Sequence, residues 1–350
     1  MKVNELIISS AGEAEHISLY PIQAPEGGGG DSDATAAFNI LQNSEYLRNR
    51  RDRGQYVSVG DRYRWDKANR DKKRRFYMCY QDSPAFVEMM ADPAISIDQI
   101  YPIATTGLLS SKWAEAMLTQ LDMGGDKDAE IIIRGGVYNV RGTKGAQTTS
   151  QQMLRCNYST RHVFRAETGE EVIFRLVDNY LTANGEAYMM MLDSPNVMLS
   201  DVIIDGNYQN QNGTIIGVGL NMTAGCVCEN VTIRNCDVGI RANKNFNKVL
   251  NNSIIDCDVG IEAIAASTDG IFDSNYVVNC PTGVKIGGQN QVVRGNIVYK
   301  ETYGAGEGAI LVDSSANGIV LADNELHGGE MVIDPSAQSV IDGVPIPYFS

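Results

Sequence analysis

Paired carboxylates are the first residues in this chain whose type and spacing allow chemistry. Asp201 with Asp205, and Asp258 with Glu262, each stand four positions apart. Two carboxyl groups about 5 to 9.5 Å apart, one desolvated enough to keep its proton, cleave a glycosidic bond by acid and base or acid and nucleophile. A β-elimination needs clustered carboxylates for Ca²⁺ and an Arg or Lys base instead, and Arg241 and Lys285 flank Glu262 in the repeat described next. The same Arg, Glu and Lys are equally the makings of a surface ion ladder, worth about 0.2 to 1 kcal/mol per pair. His16, His162 and His327 lie far apart, in no metal or nucleophile motif, and no cofactor motif accompanies them.

The elements that must carry these residues are read from self-comparison. The stretches 231–240, 252–261 and 275–284 align without gaps on Cys236, Cys257 and Cys280, so the Cys recurs after 21 and then 23 residues. Each period holds short β-branched runs broken by Asn, Asp and Gly, with no room for a helix. That is the arithmetic of a parallel β-helix whose coils stack about 4.8 Å apart. Ile233, Ile254 and Val277 are expected to stack inward, as are Ile240, Ile261 and Val284, which turns Arg241, Glu262 and Lys285 outward in one column. Gly239, Gly260 and Gly283 read as corners of positive φ, and the Asn residues around Asn230, Asn251, Asn275 and Asn296 as turns whose amides bond between coils. The Cys column reads as small hydrophobes in the core. A coil-spaced row of thiols does not close around a metal ion without other ligands.

Charge separates the chain into two regimes. Residues 48–75 carry twelve Lys and Arg against four Asp, a local +8, which leaves −22 on the rest of a chain of net −14. Such a field disfavours nucleic acid over most of the surface. Aromatics are interleaved through the basic run, Trp65 among them, which reads as a docking surface on an acidic protein neighbour or between protomers. Arg50, Arg51, Arg53, Trp65, Arg74 and Arg75 are its candidate assembly contacts. No apolar run reaches the roughly 18 residues of a membrane span, so membrane insertion is not expected. The odd number of dispersed Cys fits reduced thiols and synthesis in a reducing cytoplasm.

The segment Gly27-Gly-Gly-Gly-Asp31-Ser-Asp33-Ala-Thr35-Ala-Ala-Phe38-Asn-Ile40-Leu41 resembles the opening motif of the pectate-lyase-like right-handed parallel β-helix family, which includes bacteriophage tailspikes and capsule depolymerases. Ile131-Ile-Ile-Arg-Gly135-Gly136-Val-Tyr138 looks like the family's Pro-Gly-x-Tyr turn with Gly135 in place of Pro. Ser194-Pro-Asn196-Val197 onward to Asn207 resembles a coil in which a ligand-facing strand follows Asn-Val. The resemblance implies an all-β solenoid with a helix near 33–47 capping the first coil. About eighty residues then intervene where the family spends twenty-odd. The organisation read from the chain is an N-terminal segment and cap over 1–47, a basic and partly helical insertion over 48–125, and the β-helix with its tail over 126–350.

On this reading some eight to nine coils run from about 128 to 340. The function implied is that of a bacteriophage virion tailspike or tail-fibre-like protein, made in the host cytoplasm and sited in the virion tail. Its expected partners are a bacterial surface polysaccharide, neighbouring virion proteins and two further copies of itself in a homotrimer. The alternative is a polysaccharide lyase or glycoside hydrolase acting on capsular or pectic polymers. The candidate site residues are Asp201, Asp205, Asp258 and Glu262 for catalysis, and Arg241 and Lys285 for glycan binding.

Overall fold

The computed structural model describes residues 5–10, 13–18, 74–104, 129–140, 150–156, 162–178, 185–211, 215–223, 225–301, 304, 307–338 and 341–342. The chain divides into two compact units, residues 1–70 with 347–350, and residues 71–346. In the first, Glu5–Ser10 and Glu13–Ser18 form an antiparallel hairpin. The expected cap helix, the basic run up to Lys73 and the stretch 110–123 lie outside the described residues.

The second unit is a parallel β-helix. Three sheets of eleven, eight and eight strands follow one another around every coil, and each strand pairs in parallel with its counterpart one coil away. We call them sheets 1, 2 and 3 in chain order. The strands Ala129–Ile133, Gly136–Val140 and Ser150–Cys156 open the first coil, and Met331–Ile333 closes the eighth. Eight full coils fall within the expected eight to nine. Parallel strands connected in this way cross over right-handedly in nearly all proteins.

Residues 74–103, inside the span read as an insertion, continue sheet 1. Arg74–Tyr80 pairs in register with Ala129–Ile133 and, on its other edge, with Ile100–Ile103. The helix Pro84–Ala91 makes the crossover between those two parallel strands; Ser83 caps it by accepting from the Phe86 amide at 3.2 Å, and Pro84 opens it. Phe76 and Met78 enter the main core, while Cys79, Met89 and Ile100 pack together beside it. The alternation Phe76, Met78 was hidden by the basic residues that precede it. Among the described residues no helix is long and apolar enough to cross a membrane.

The inward columns stand as read: Ile233, Ile254, Val277, Ile240, Ile261 and Val284 are fully buried, and so is the Cys column. Hydrogen bonding with Cys236 and burial push the Cys257 thiol up, so it stays a neutral core group. The amide ladder is also present: Asn275 and Asn296 stand in it as read, Asn252 takes the place of Asn251, and Asn230 and Asn251 are left-handed corner residues. Asn252, Asn275, Asn296 and Asn324 stack at the corner from sheet 1 to sheet 2, and the backbone and side-chain amides of each donate to the Oδ1 of the next at 2.9 to 3.1 Å.

The glycine column is corrected. Gly239, Gly260 and Gly283 are strand residues and lie outside the positive-φ set; positive φ falls instead on Asn235, Asp256 and Asn279, one residue before each Cys. What demands Gly is space, since a Cβ at Gly260 would stand 2.5 Å from the Gly283 carbonyl oxygen and 2.5 Å from Val277 Cγ1. Asn and Asp tolerate the left-handed corner because their short polar side chains bond locally.

Candidate functional site

The outer face of sheet 3 carries the charged column. Arg241, Glu262 and Lys285 pair in register on three successive coils. Arg241 Nε donates to Glu262 Oε2 at 2.7 Å, and Lys285 Nζ to Glu262 Oε1 at 3.1 Å. Arg241 also reaches back over the strand Ile215–Met222 to Glu186 Oε1, whose other oxygen accepts from the Tyr188 hydroxyl at 2.6 Å. Burial works against the charge of Glu186, but Tyr188 and Arg241 outweigh it and hold the carboxyl below the usual range. Tyr188, Val218 and Val238 form an apolar cluster of their own beside this network. Asn221, in register with Met191 and Arg241, is fully buried, and neither of its amide atoms has a hydrogen-bond partner.

A second constellation lies at the corner where sheet 2 turns into sheet 3. Asp237 and Asp258 occupy the same place on consecutive coils, because Val238 pairs with Val259 and the Val259 amide donates to the Asp237 carbonyl at 2.8 Å. Asp237 is half-buried and Asp258 exposed. Burial pushes the Asp237 carboxyl up; the Gly217 amide, which it accepts, opposes that, and the charge of Asp258 adds to it. A like charge one coil away raises the cost of the second anion.

Tyr208 stands over this pair. Burial, then the charges of Asp258 and Asp237, push its phenol up, which places the three groups in one electrostatic neighbourhood. The loop that presents it is built for rigidity. Asn207 takes the left-handed conformation with φ 49°, and its side chain donates to Leu176 O at 2.9 Å and to Asp178 Oδ1 at 2.6 Å while accepting from Arg175. Tyr208 then opens a 3₁₀ turn, with its amide donating to Asn235 O at 3.2 Å. A small, mostly apolar depression of about 10 Å³, room for a single water, lies here, lined by Leu176, Ala187, Met189, Tyr208, Val218 and Cys236 among others.

The sequence-derived residues distribute as follows. Asp201 is exposed at the corner before Ile203–Asp205 and accepts from Asn230 Nδ2 and from the Ser200 hydroxyl. Asp205 is buried and fully engaged, receiving Arg234 Nε at 3.2 Å, Asn235 Nδ2 at 2.9 Å and the Asn207 amide at 3.1 Å, so it braces the Tyr208 loop. Asp201 sits on a left-handed corner with φ 59° outside the strand that carries Asp205, and Asp258 precedes the strand that carries Glu262. Asp258 is stacked on Asp237, and Glu262 is held by Arg241 and Lys285. Arg75 donates to Glu130 at 3.1 Å, Arg74 opens its strand, and Arg50, Arg51, Arg53 and Trp65 lie outside the described residues. Sequence reasoning missed Asp237 and Tyr208. The signal for the first was available: Asp follows Cys in two of the three aligned copies, and Pro281 takes that place in the third.

The family described as the periplasmic copper-binding protein NosD matches residues 131–289. No curated protein matches the chain. Among solved structures, the A-module of the Azotobacter vinelandii mannuronan C-5 epimerase AlgE6 is 13% identical over 67% of this chain and 94% of its own, at a TM-score of 0.29. The A-module of AlgE4 from the same organism is 10% identical over 66% and 95%, at a TM-score of 0.22. This chain's own topology is that of a parallel β-helix. Among the described residues no three of His, Cys, Asp and Glu come together to hold an ion, and the stacked thiols are buried.

Proposed function

We propose that this protein is a glycan-binding β-helix of the bacteriophage tailspike or tail-fibre type, which reads a bacterial surface polysaccharide with the flank that runs from the Tyr208 corner onto the Arg241 column. The observation that carries the glycan reading is a rigidly presented, solvent-reaching Tyr208 beside the half-buried Asp237 on the outer surface of this corner. An aromatic face with convergent polar groups is what a sugar ring requires, since its C–H faces are apolar and its hydroxyls are not. Arg241 and Lys285 extend the polar surface along the next coils. The virion role, the homotrimer and the neighbouring tail proteins rest on the opening motif at 27–41 and belong to the same proposal.

An array of immobilised bacterial capsular and lipopolysaccharide glycans tests it. Retention of the wild-type chain on at least one polymer, weakened by Tyr208→Ala, supports the reading; retention on none overturns it. Mass spectrometry of purified phage particles tests the virion role, which absence of the chain from every particle that encodes it would overturn.

One observation favours an enzyme as the second reading. Asp237 is driven toward its protonated form beside an exposed Asp258, the division of labour between acid and nucleophile or base in glycoside hydrolysis. Asp237 would donate its proton to the glycosidic oxygen while Asp258 acts at the anomeric carbon or on water. Release of reducing ends from a retained polymer, abolished by Asp237→Asn, would move the protein from binder to hydrolase.

A further inference from the structure

We propose that the outer face of sheet 2 toward its C-terminal end is a separate stacking platform for a neutral polysaccharide chain; the proposal rests on the glycan reading above and adds the class of sugar. Two outward rows meet there. Tyr276 pairs in register with Ile297 and Glu325, and Val278 with Tyr299 and His327. Tyr276 is 46% exposed, Tyr299 43% and Ile297 38%, on a face whose inward partners Val277 and Val298 are buried. The His327 ring lies 6.2 Å from that of Tyr299, and its Nε2 is 2.6 Å from Glu325 Oε1. Planar, half-exposed rings therefore occur on three consecutive coils, rising about 4.8 Å per coil.

Electrostatics chooses the occupant. The four strands of this patch, Ser253–Ile255, Tyr276–Val278, Ile297–Tyr299 and Glu325–His327, contain no Lys or Arg. Exposed carboxylates border it at Asp256, Asp323 and Glu325. The nearest cations, Lys300 and Arg234, are engaged by Glu307 and Asp205, so an acidic polymer would meet like charge at the bordering carboxylates, whereas a neutral glycan gains stacking on the phenol rings and hydrogen bonds from their hydroxyls. Ile297 and Val278 complete a narrow apolar strip between the two phenols, which Glu325 and His327 close on the next coil.

Affinity electrophoresis of the whole chain tests this, in native gels containing a neutral polymer (dextran or galactomannan) or an acidic one (alginate or polygalacturonate). The neutral gels are expected to retard the wild type. The double variant Tyr276→Ala/Tyr299→Ala should bind about tenfold or more weakly, the scale of an aromatic hot spot, while Tyr276→Phe/Tyr299→Phe keeps most of the retardation. Circular dichroism establishes that each variant is folded. Equal retardation of the Ala pair, retardation in acidic gels alone, or none in any neutral gel would each overturn the platform. So would a fall in sedimenting mass of the Ala pair with binding intact, which marks the face as a contact between copies. Tyr208→Ala on the surface-polysaccharide array judges the corner site independently, so the two readings fail separately.

Discussion

Arg241 Nη1 donates to Glu186 Oε1 at 2.8 Å across the strand that separates their coils, while its Nε holds Glu262 on the other side. One guanidinium thus ties three coils of the flank. The Arg241 and Glu262 side chains are each only 11% exposed, so removing the cation strands two carboxylates that burial disfavours. Arg241→Ala should cost about 3 kcal/mol, at the low end for breaking a buried pair. Lys285 is 40% exposed, and Lys285→Ala should cost roughly 0.5 kcal/mol. Urea denaturation midpoints compare the two; equal losses would contradict the network.

Asp237 predicts a pH dependence. Its carboxyl is raised from the ordinary 3.8, chiefly by burial, so the native state binds that proton more tightly than the unfolded chain does. The group's contribution therefore favours the native state at low pH and is lost as pH rises from the unfolded value through the raised folded one. Asp237→Asn should be more stable than wild type at neutral pH, with the gap closing toward pH 3.8 and below. Parallel melting curves across that range would contradict this.

The glycine column gives a discriminating pair. Gly260→Ala forces a methyl against a carbonyl and a valine on the next coil, an overpacking of about 3 kcal/mol. Gly295→Ala has ordinary van der Waals space but a left-handed φ of 60°, a strain of roughly 1 kcal/mol. Thermal melts that ranked them in the opposite order would restore the corner reading for Gly260.

Two asparagines on the same solenoid should respond oppositely. Asn275 donates to Asn296 and to Val249 O and accepts from Asn252, all in a buried column, so Asn275→Ala should cost about 2 to 3 kcal/mol. Asn221 is buried with both amide atoms unpaired, and Asn221→Leu should be neutral or stabilising by about 1 to 2 kcal/mol. A marked loss for Asn221→Leu would mean that its amide is satisfied by a group the fold requires.

The solenoid was legible because a coil-long period repeats the same inward residue, and Cys236, Cys257 and Cys280 set the alignment before any strand was assigned. The charged column followed from that register alone. The glycines were misread because a turn and a tight interior both demand Gly, and only the neighbouring coil's Ile or Val distinguishes them. Tyr208 was out of reach for another reason. It lies in a loop outside the repeat, and Asn207 and Asp205, which aim it, act through contacts thirty residues away in sequence. Asp237 was passed over because only its stacking on Asp258 puts two like charges one coil apart.

On the proposed reading, the flank from Tyr208 to Lys285 grips a glycan. Biolayer interferometry on a polysaccharide retained by the array measures it most directly, comparing wild type with Tyr208→Ala/Lys285→Ala. We expect the double variant to bind about tenfold or more weakly with only the small fall in melting temperature that the loss of the exposed Lys285 pair brings, since both side chains reach solvent. Equal affinity of the two proteins for that polymer would contradict the claim.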